Sequence, residues 1–248
     1  MQKKKSKFYA FLSGVVKLFY RKRESIGLEN IPQTPCLIIG NHAQAHGPFY
    51  AELYFPLEKK IWCVGEMMKR KEVPAYAYKD FWSYKPKWSK WFYKALSHLI
   101  APLCAYVFTH ADTIGVYKDT RVIATIKGTA RALREGKKVI IFPENEKPFN
   151  EIVNAFQTNF IEVARSYYKL HKEAVSFVPM YNAAELKKVV FGKPIAFDPE
   201  AELDTQKQEI CAHLQAEITR MAKELPRHRV VPYANVKKKA YPYSKEEE

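Results

Sequence analysis

Short apolar runs that end in polar loops, each followed by a stretch with helical spacing, recur along this chain and restrict it to alternating strands and helices. The clearest run is Lys138-Val139-Ile140-Ile141-Phe142; before it lies a helical stretch, Val122–Arg134, that Gly136 should stop. Cys36–Ile39, Ile61–Val64, Thr113–Tyr117, Val175–Pro179 and Val189–Ile195 have the same strand character. Helices are expected over Phe49–Phe55, ended by Pro56, and over Glu151–Leu170. A last one is expected over Asp204–Leu225, where Thr205 and Gln208 have capping-box spacing. The pattern predicts an α/β fold with a mainly parallel sheet flanked by helices. We divide the chain into a basic amphipathic helix (1–24), an α/β domain (25–200), and a C-terminal helix with a flexible tail (201–248), whose last ten or so residues we expect to be loosely held.

The charge is uneven. The net charge is +15, and most of the excess lies in two stretches. Residues 1–24 hold eight cations, among them Lys3, Lys4, Lys5 and the Arg21-Lys22-Arg23 cluster, against the single acid Glu24. Residues 58–94 hold ten cations against four acids, and both stretches are interleaved with Phe, Tyr and Trp. Cations among aromatic rings suit the headgroup boundary of an anionic membrane, where rings sit at the interface and amines meet phosphate. Solvated charge over core aromatics is the alternative. Nucleic acid is disfavoured as a partner, because no recognisable RNA- or DNA-binding pattern accompanies the charge.

Residues 1–23 look at first like a signal peptide, but Lys17 breaks the apolar part and no small-residue cleavage site follows. Phe8, Phe11, Leu12, Val15, Val16 and Phe19 instead recur at helical steps, so the segment is expected to lie on a membrane surface or against the domain. Trp91–Phe108 approaches the roughly 20 apolar residues a membrane span needs. It carries Lys94, His98 and Pro102, and a membrane-facing or core helix pair is the expectation. Cys36, Cys63, Cys104 and Cys211 show no metal-ligand or paired spacing, which suits a reduced, cytoplasmic setting.

The run Cys36–Ile39 ends in Gly40-Asn41-His42, with His46 four residues further on. An imidazole at the end of a buried strand stands where α/β proteins place reactive groups. Two histidines four apart could share a metal on one helix face, but Gly47-Pro48 argues against a helix there and no further ligand motif appears, so no metal is assigned.

Three more strand ends stand in order after it: Gly115-Val116-Tyr117-Lys118-Asp119, Phe142-Pro143-Glu144-Asn145-Glu146-Lys147, and Phe177-Val178-Pro179-Met180. Together with Gly27-Leu28-Glu29-Asn30-Ile31-Pro32 and Phe191-Gly192-Lys193-Pro194-Ile195, residues 26 to 196 resemble the lysophospholipid and glycerol-phosphate acyltransferase family. That family has Asn-His with an Asp five positions after the His, a Gly-containing strand end with a basic residue, Phe-Pro-Glu-Gly-Thr-Arg, and a strand carrying Val-Pro. Here Gly47 stands in place of the Asp, Lys118 in place of an Arg, and Asn145, Glu146 and Lys147 in place of Gly-Thr-Arg.

The resemblance implies O-acyl transfer from acyl-CoA or acyl carrier protein to a lysophospholipid or glycerol-phosphate-type acceptor, with no cofactor beyond the acyl thioester. Such a reaction needs a base for the attacking hydroxyl, and an imidazole of near-neutral pKa suits it. His42 is the candidate. Asn41, His46, Gly115, Tyr117, Lys118, Arg121, Pro143, Glu144, Asn145 and Lys147 are the candidate substrate contacts, with Lys118, Arg121 and Lys147 directed at phosphate. With Gly at 47, the carboxylate that would orient the imidazole must be Glu52, Glu144 or an acid brought from elsewhere, or else be absent. The expected setting is peripheral, on the cytoplasmic, inner face of a membrane. A catalytically inactive lipid-binding or scaffolding protein on the same fold is the rival.

Overall fold

The computed structural model describes residues 6–247; the basic run Lys3-Lys4-Lys5 lies outside them. In chain order the elements are α1 (Lys7–Phe19), β1 (Glu24–Ile26), β2 (Cys36–Gly40), α2 (His46–Leu53), β3 (Lys59–Val64), α3 (Val73–Ala77), α4 (Lys90–His110), β4 (Thr113–Val116) and α5 (Val122–Arg134). They continue with β5 (Lys138–Ile141), β6 (Glu144–Phe149), β7 (Asn154–Phe156), α6 (Ile161–His171), β8 (Ser176–Ala183), β9 (Lys188–Phe191), β10 (Ile195–Ala196) and α7 (Leu203–Glu224). The main sheet runs β1-β9-β8-β2-β5-β3-β4, with β10 on β8. The pairs β1·β9, β8·β2, β2·β5, β5·β3 and β3·β4 are parallel, and β8 pairs antiparallel with β9 and β10. The fold is therefore mixed α/β with a mainly parallel central sheet.

The strands at the centre are apolar on both faces, as a doubly covered parallel sheet requires. Leu37, Ile39, Val139, Ile141 and Phe177 meet Leu133 of α5, Ile161 of α6 and Leu214 and Ile218 of α7. Their alternates Ile38, Ile140, Val178 and Met180 meet Tyr50 and Ala51 of α2, and Phe55. Each such aliphatic side chain contributes about 1.5–3 kcal/mol when fully buried. Strand β2 is thus gripped from both sides, and its end is fixed in place.

Several elements differ from the sequence expectation, each for a local reason. Residues 144–156 form an antiparallel hairpin and not a loop followed by helix, because Asn150 Oδ1 accepts from the amides of Ile152 and Val153 and Glu151 takes a left-handed φ of 71°. Helix α6 accordingly begins only at Ile161. Helix α2 begins at His46 and includes Gly47 and Pro48 in its first turn, where a missing proline N–H leaves no bond unmade. Val189–Ile195 splits into β9 and β10 around Gly192-Lys193-Pro194. Glu202, not Thr205, caps α7, accepting from the amides of Asp204 and Thr205. Trp91–Phe108 belongs to one helix, α4, with Pro102 inside it, and not to a pair. Among the described residues, no helix is long and apolar enough to cross a membrane.

On α1 only Tyr9 is buried, while Phe8, Phe11, Leu18 and Phe19 are exposed. The C-terminal tail, expected to be loose, is pinned: Ser244 and His228 are buried, the Ser244 amide donates to the His228 carbonyl at 2.9 Å, and the Arg227 guanidinium lies 3.5 Å over the Tyr243 ring.

Candidate active site around His42

Strand β2 delivers its end residues into a tightly packed corner. Asn41 is buried, and its Oδ1 accepts from the Asn182 amide at 2.7 Å, which ties the end of β2 to β8. Asn41 thus holds the backbone of β8 in register with the end of β2. Beyond His42 the chain reverses through Ala43 and Gln44, both with left-handed φ (45° and 54°). This is a conformation that non-glycine residues adopt only when their surroundings hold them in it. The turn is closed by the amide of His46 on the Ala43 carbonyl (3.1 Å) and the amide of Gly47 on the His42 carbonyl (3.0 Å).

The reversal brings the Gln44 carbonyl onto Nδ1 of the His42 ring. A carbonyl can only accept, so Nδ1 carries the proton and Nε2 presents the lone pair. The ring lies edge-on to Phe142 and to Tyr233, each with centroids 5.4 Å away. Burial pushes the His42 pKa down, against a smaller upward pull from the Gln44 carbonyl and the charge of Asp80. At neutral pH the group is an uncharged imidazole with its basic nitrogen defined.

Gly47, where an acid was sought, is closed to any side chain. A Cβ there would stand 2.5 Å from the Phe142 ring, 2.9 Å from the Asn41 carbonyl and 3.0 Å from that of His42. The backbone of the loop has closed down on α2, and the Gln44 carbonyl occupies the orienting role that a carboxylate would fill. Neither proposed substitute acid reaches the ring. Glu52 accepts from the Tyr9 hydroxyl (2.7 Å) and lies 3.8 Å from Lys59 Nζ. Glu144 is buried and accepts from the backbone amide of His42 and, at 3.0 Å, from that of Asn154. It clamps the histidine loop to the β6–β7 hairpin. Burial pushes its carboxyl up to about 7 in spite of those two amides.

The other candidates fall into three places. His46 stacks on Tyr20, and its Nδ1 lies 3.1 Å from an Arg23 nitrogen, which can only donate, so the imidazole proton is on Nε2. His42 and His46 therefore use their Nδ1 atoms separately, and His42 lies outside the helix that His46 begins. Gly115 and Tyr117 line the end of β4, where the Tyr117 ring fills the space beside Gly65. Arg121 lies over that ring at 4.1 Å and is held by Glu72 (3.0 Å) and Asp119 (2.7 Å), so its charge is already matched by two carboxylates. Lys118 and Lys147 are exposed, Pro143 is buried beside Glu144, and the Asn145 carbonyl accepts from Asn154 Nδ2 at 2.7 Å. Beyond β4, Glu66, Lys71, Glu72, Tyr76, Lys79 and Arg121 surround an open cleft of about 440 Å³.

Sequence reasoning missed four participants: the Gln44 carbonyl, Tyr233, Tyr241 and Arg23. Gln44 Nε2 donates to the Tyr241 hydroxyl at 2.9 Å, across 197 residues of sequence. Arg23 is buried and bonds Tyr20, His46 and the Ala184 carbonyl (3.0 Å), joining the end of α1 to the start of α2. In the sequence Arg23 is one more cation of a basic run, and the two tyrosines belong to a Pro-, Tyr- and Lys-rich tail. A backbone carbonyl leaves no sequence signal at all.

No protein-family model matches the chain, and no curated protein matches it. Among solved structures it is similar to the 1-acyl-sn-glycerophosphate (LPA) acyltransferase PlsC from Thermotoga maritima, with 15% sequence identity and a TM-score of 0.44, over 87% of this chain and 83% of that one.

Proposed function

We propose that the chain is an O-acyltransferase acting at a membrane surface, moving a fatty acyl group from acyl-CoA or acyl carrier protein to the hydroxyl of a lysophospholipid or glycerol-phosphate-type acceptor. The observation that carries this reading is the His42 imidazole, neutral and protonated at Nδ1 by its bond to the Gln44 carbonyl. In the reaction, the acceptor hydroxyl gives its proton to Nε2 as its oxygen attacks the thioester carbonyl. The tetrahedral intermediate then expels the thiolate, which takes the proton back from the imidazolium. A carbonyl stabilises that imidazolium less than a carboxylate would, so turnover is expected to be slow compared with a His–carboxylate pair. Lys71 and Lys79, on the cleft beside Arg121, are the cations we assign to the acceptor phosphate.

The membrane face would be built from α1 and α4. Ser6 and Phe8 contact Tyr106 (2.6 Å between hydroxyls, 5.3 Å between rings), which sets the two helices side by side. Leu18, Phe19, Trp88, Trp91 and Leu99 are the most exposed apolar side chains of this region, and neither helix contains an acid. Lysines around exposed rings with no acid among them suit an anionic lipid surface, and we place the protein peripherally on the inner leaflet.

The test is release of free thiol from acyl-CoA and acyl carrier protein across a lysolipid panel, with and without anionic vesicles. The native chain is expected to turn over and His42→Ala to fall to the uncatalysed rate. A native protein no faster than His42→Ala would overturn the reading. Lysolipid binding without thiol release would favour a lipid-binding protein, a reading to which the missing carboxylate at the imidazole and the Tyr233 ring against it lend weight.

A further inference from the structure

After α7 the chain turns back over the histidine loop. Its two returning arms are pinned to each other and to the sheet. The Val230 amide donates to the Pro242 carbonyl at 2.8 Å and the Ser244 amide to the His228 carbonyl at 2.9 Å. His228, buried, sits between the Pro226 carbonyl (2.8 Å) and the Tyr181 hydroxyl of β8 (2.8 Å). Residues 231–241 bulge out between these arms as a closed loop. Residues 234–240 of it are exposed, Lys237, Lys238 and Lys239 among them. At its two ends it touches the candidate site: the Tyr233 ring lies edge-on to His42, and the Tyr241 hydroxyl holds the Gln44 side chain.

These two contacts have different consequences. Tyr233 packs its ring against the His42 imidazole, centroids 5.4 Å apart, and so helps to cover it. The charge of Asp80 acts on His42, on Tyr233 and on Tyr76, a lining residue of the 440 Å³ cleft, so the three rings share one electrostatic neighbourhood. Tyr241 acts further back. It fixes the residue whose carbonyl sets the His42 tautomer, in a turn whose left-handed φ values need outside support.

We propose that residues 231–241 form a strap over the site, with Tyr233 as the gate that shields the His42 imidazole and Tyr241 as the positioning residue that holds the Gln44 turn beneath it. The inference rests on His42 being the working group, and it deepens the acyl-transfer reading by giving the acceptor an entry that must be opened. The arms at 228–230 and 242–244 are anchored by a buried histidine and paired amides, while the loop between them, exposed over 234–240, touches the site through two side chains. Opening can therefore be local, with the rest of the fold intact.

The experiment is carbethoxylation of the full chain by diethyl pyrocarbonate, followed residue by residue by mass spectrometry, with the exposed His98 and His213 as internal references. Tyr233→Ala is expected to raise the His42 rate about tenfold, while Tyr233→Phe, which keeps the ring, stays within about twofold of the native rate. Tyr241→Phe removes one hydroxyl and keeps the packing. It is expected to raise the His42 rate by about threefold to fivefold and to reduce the Nδ1-protonated tautomer seen in the imidazole ¹⁵N shifts. Unchanged His42 rates in both Tyr233→Ala and Tyr241→Phe, with the reference histidines also unchanged, would overturn the strap. None of these readouts needs an acyl substrate. A protein that shows the accessibility pattern but releases no thiol keeps the strap and loses the acyl-transfer reading.

Discussion

In the loop from Gly40 to Gly47, Asn41 is bonded to β8, the His42 amide to Glu144, the His42 ring to Gln44 and the Gly47 amide to His42. Along α1 and α4 the situation is reversed: Phe19 is 85% exposed, Leu99 77% and Leu18 76%, and few groups there are buried. The first region is determined by packing and tolerates little. The second carries large apolar side chains in solvent beside the small cluster that α4 builds around Ala101, and exposed apolar side chains of that size are better explained by what they meet than by what they hold together. The two can be separated by substitution, because one should respond in stability and the other in surface binding.

The largest effect is expected at Gly47. Gly47→Asp would restore the acid of the family pattern in sequence, yet place a Cβ among Phe142 and two backbone carbonyls and a carboxylate in a closed corner. It should destabilise the fold by about 3–5 kcal/mol in urea unfolding, without raising thiol release. A stable, faster variant would show that the loop is adaptable after all.

Glu144→Gln comes next. The amide can accept from one of the two backbone N–H groups and presents its own NH₂ to the other, at about 2 kcal/mol. The pH dependence gives a second reading of the same residue. With its folded pKa raised to about 7, Glu144 binds a proton in the folded state that the unfolded chain releases in the ordinary carboxylate range. Its contribution is therefore present at low pH and lost as pH rises toward 7. Glu144→Gln should flatten that part of the curve of urea midpoint against pH; an unchanged slope would assign it to other groups.

The smallest stability effect and the clearest binding effect belong to the α1–α4 face. Leu18→Ser with Trp88→Ser should change stability by less than about 0.5 kcal/mol. The same pair should weaken sedimentation with anionic vesicles by about tenfold or more, since one removes an indole ring and the other an isopropyl group from a lipid boundary. If binding persisted, the basic aromatic surface would have another use.

The sequence conveyed the strand and helix order well where the signal was local. The run Lys138–Ile141, the helix Val122–Arg134 and the glycine that stops it are found as the periodicity indicated. The hairpin at 144–156 was not legible, because Glu151–Leu170 carries enough helix-forming residues to hide a turn that depends on one asparagine side chain. The site was legible only in part. His42 at the end of β2 could be singled out from its neighbours in sequence, but Arg121 was directed at a phosphate without sight of Glu72, which lies 49 residues away along the chain.

By itself, then, the sequence determined the alternating architecture and the imidazole at a strand end, since both depend on spacing over a few residues. Only the tertiary structure decided what surrounds that imidazole. A carbonyl two residues on stands at its Nδ1, Glu144 from 102 residues away holds its backbone, and a tyrosine of the C-terminal tail lies against its ring. The physical reason is that partners of this kind are chosen by the closing of space around Gly47, where a backbone approach leaves no room for the side chain that the sequence pattern called for.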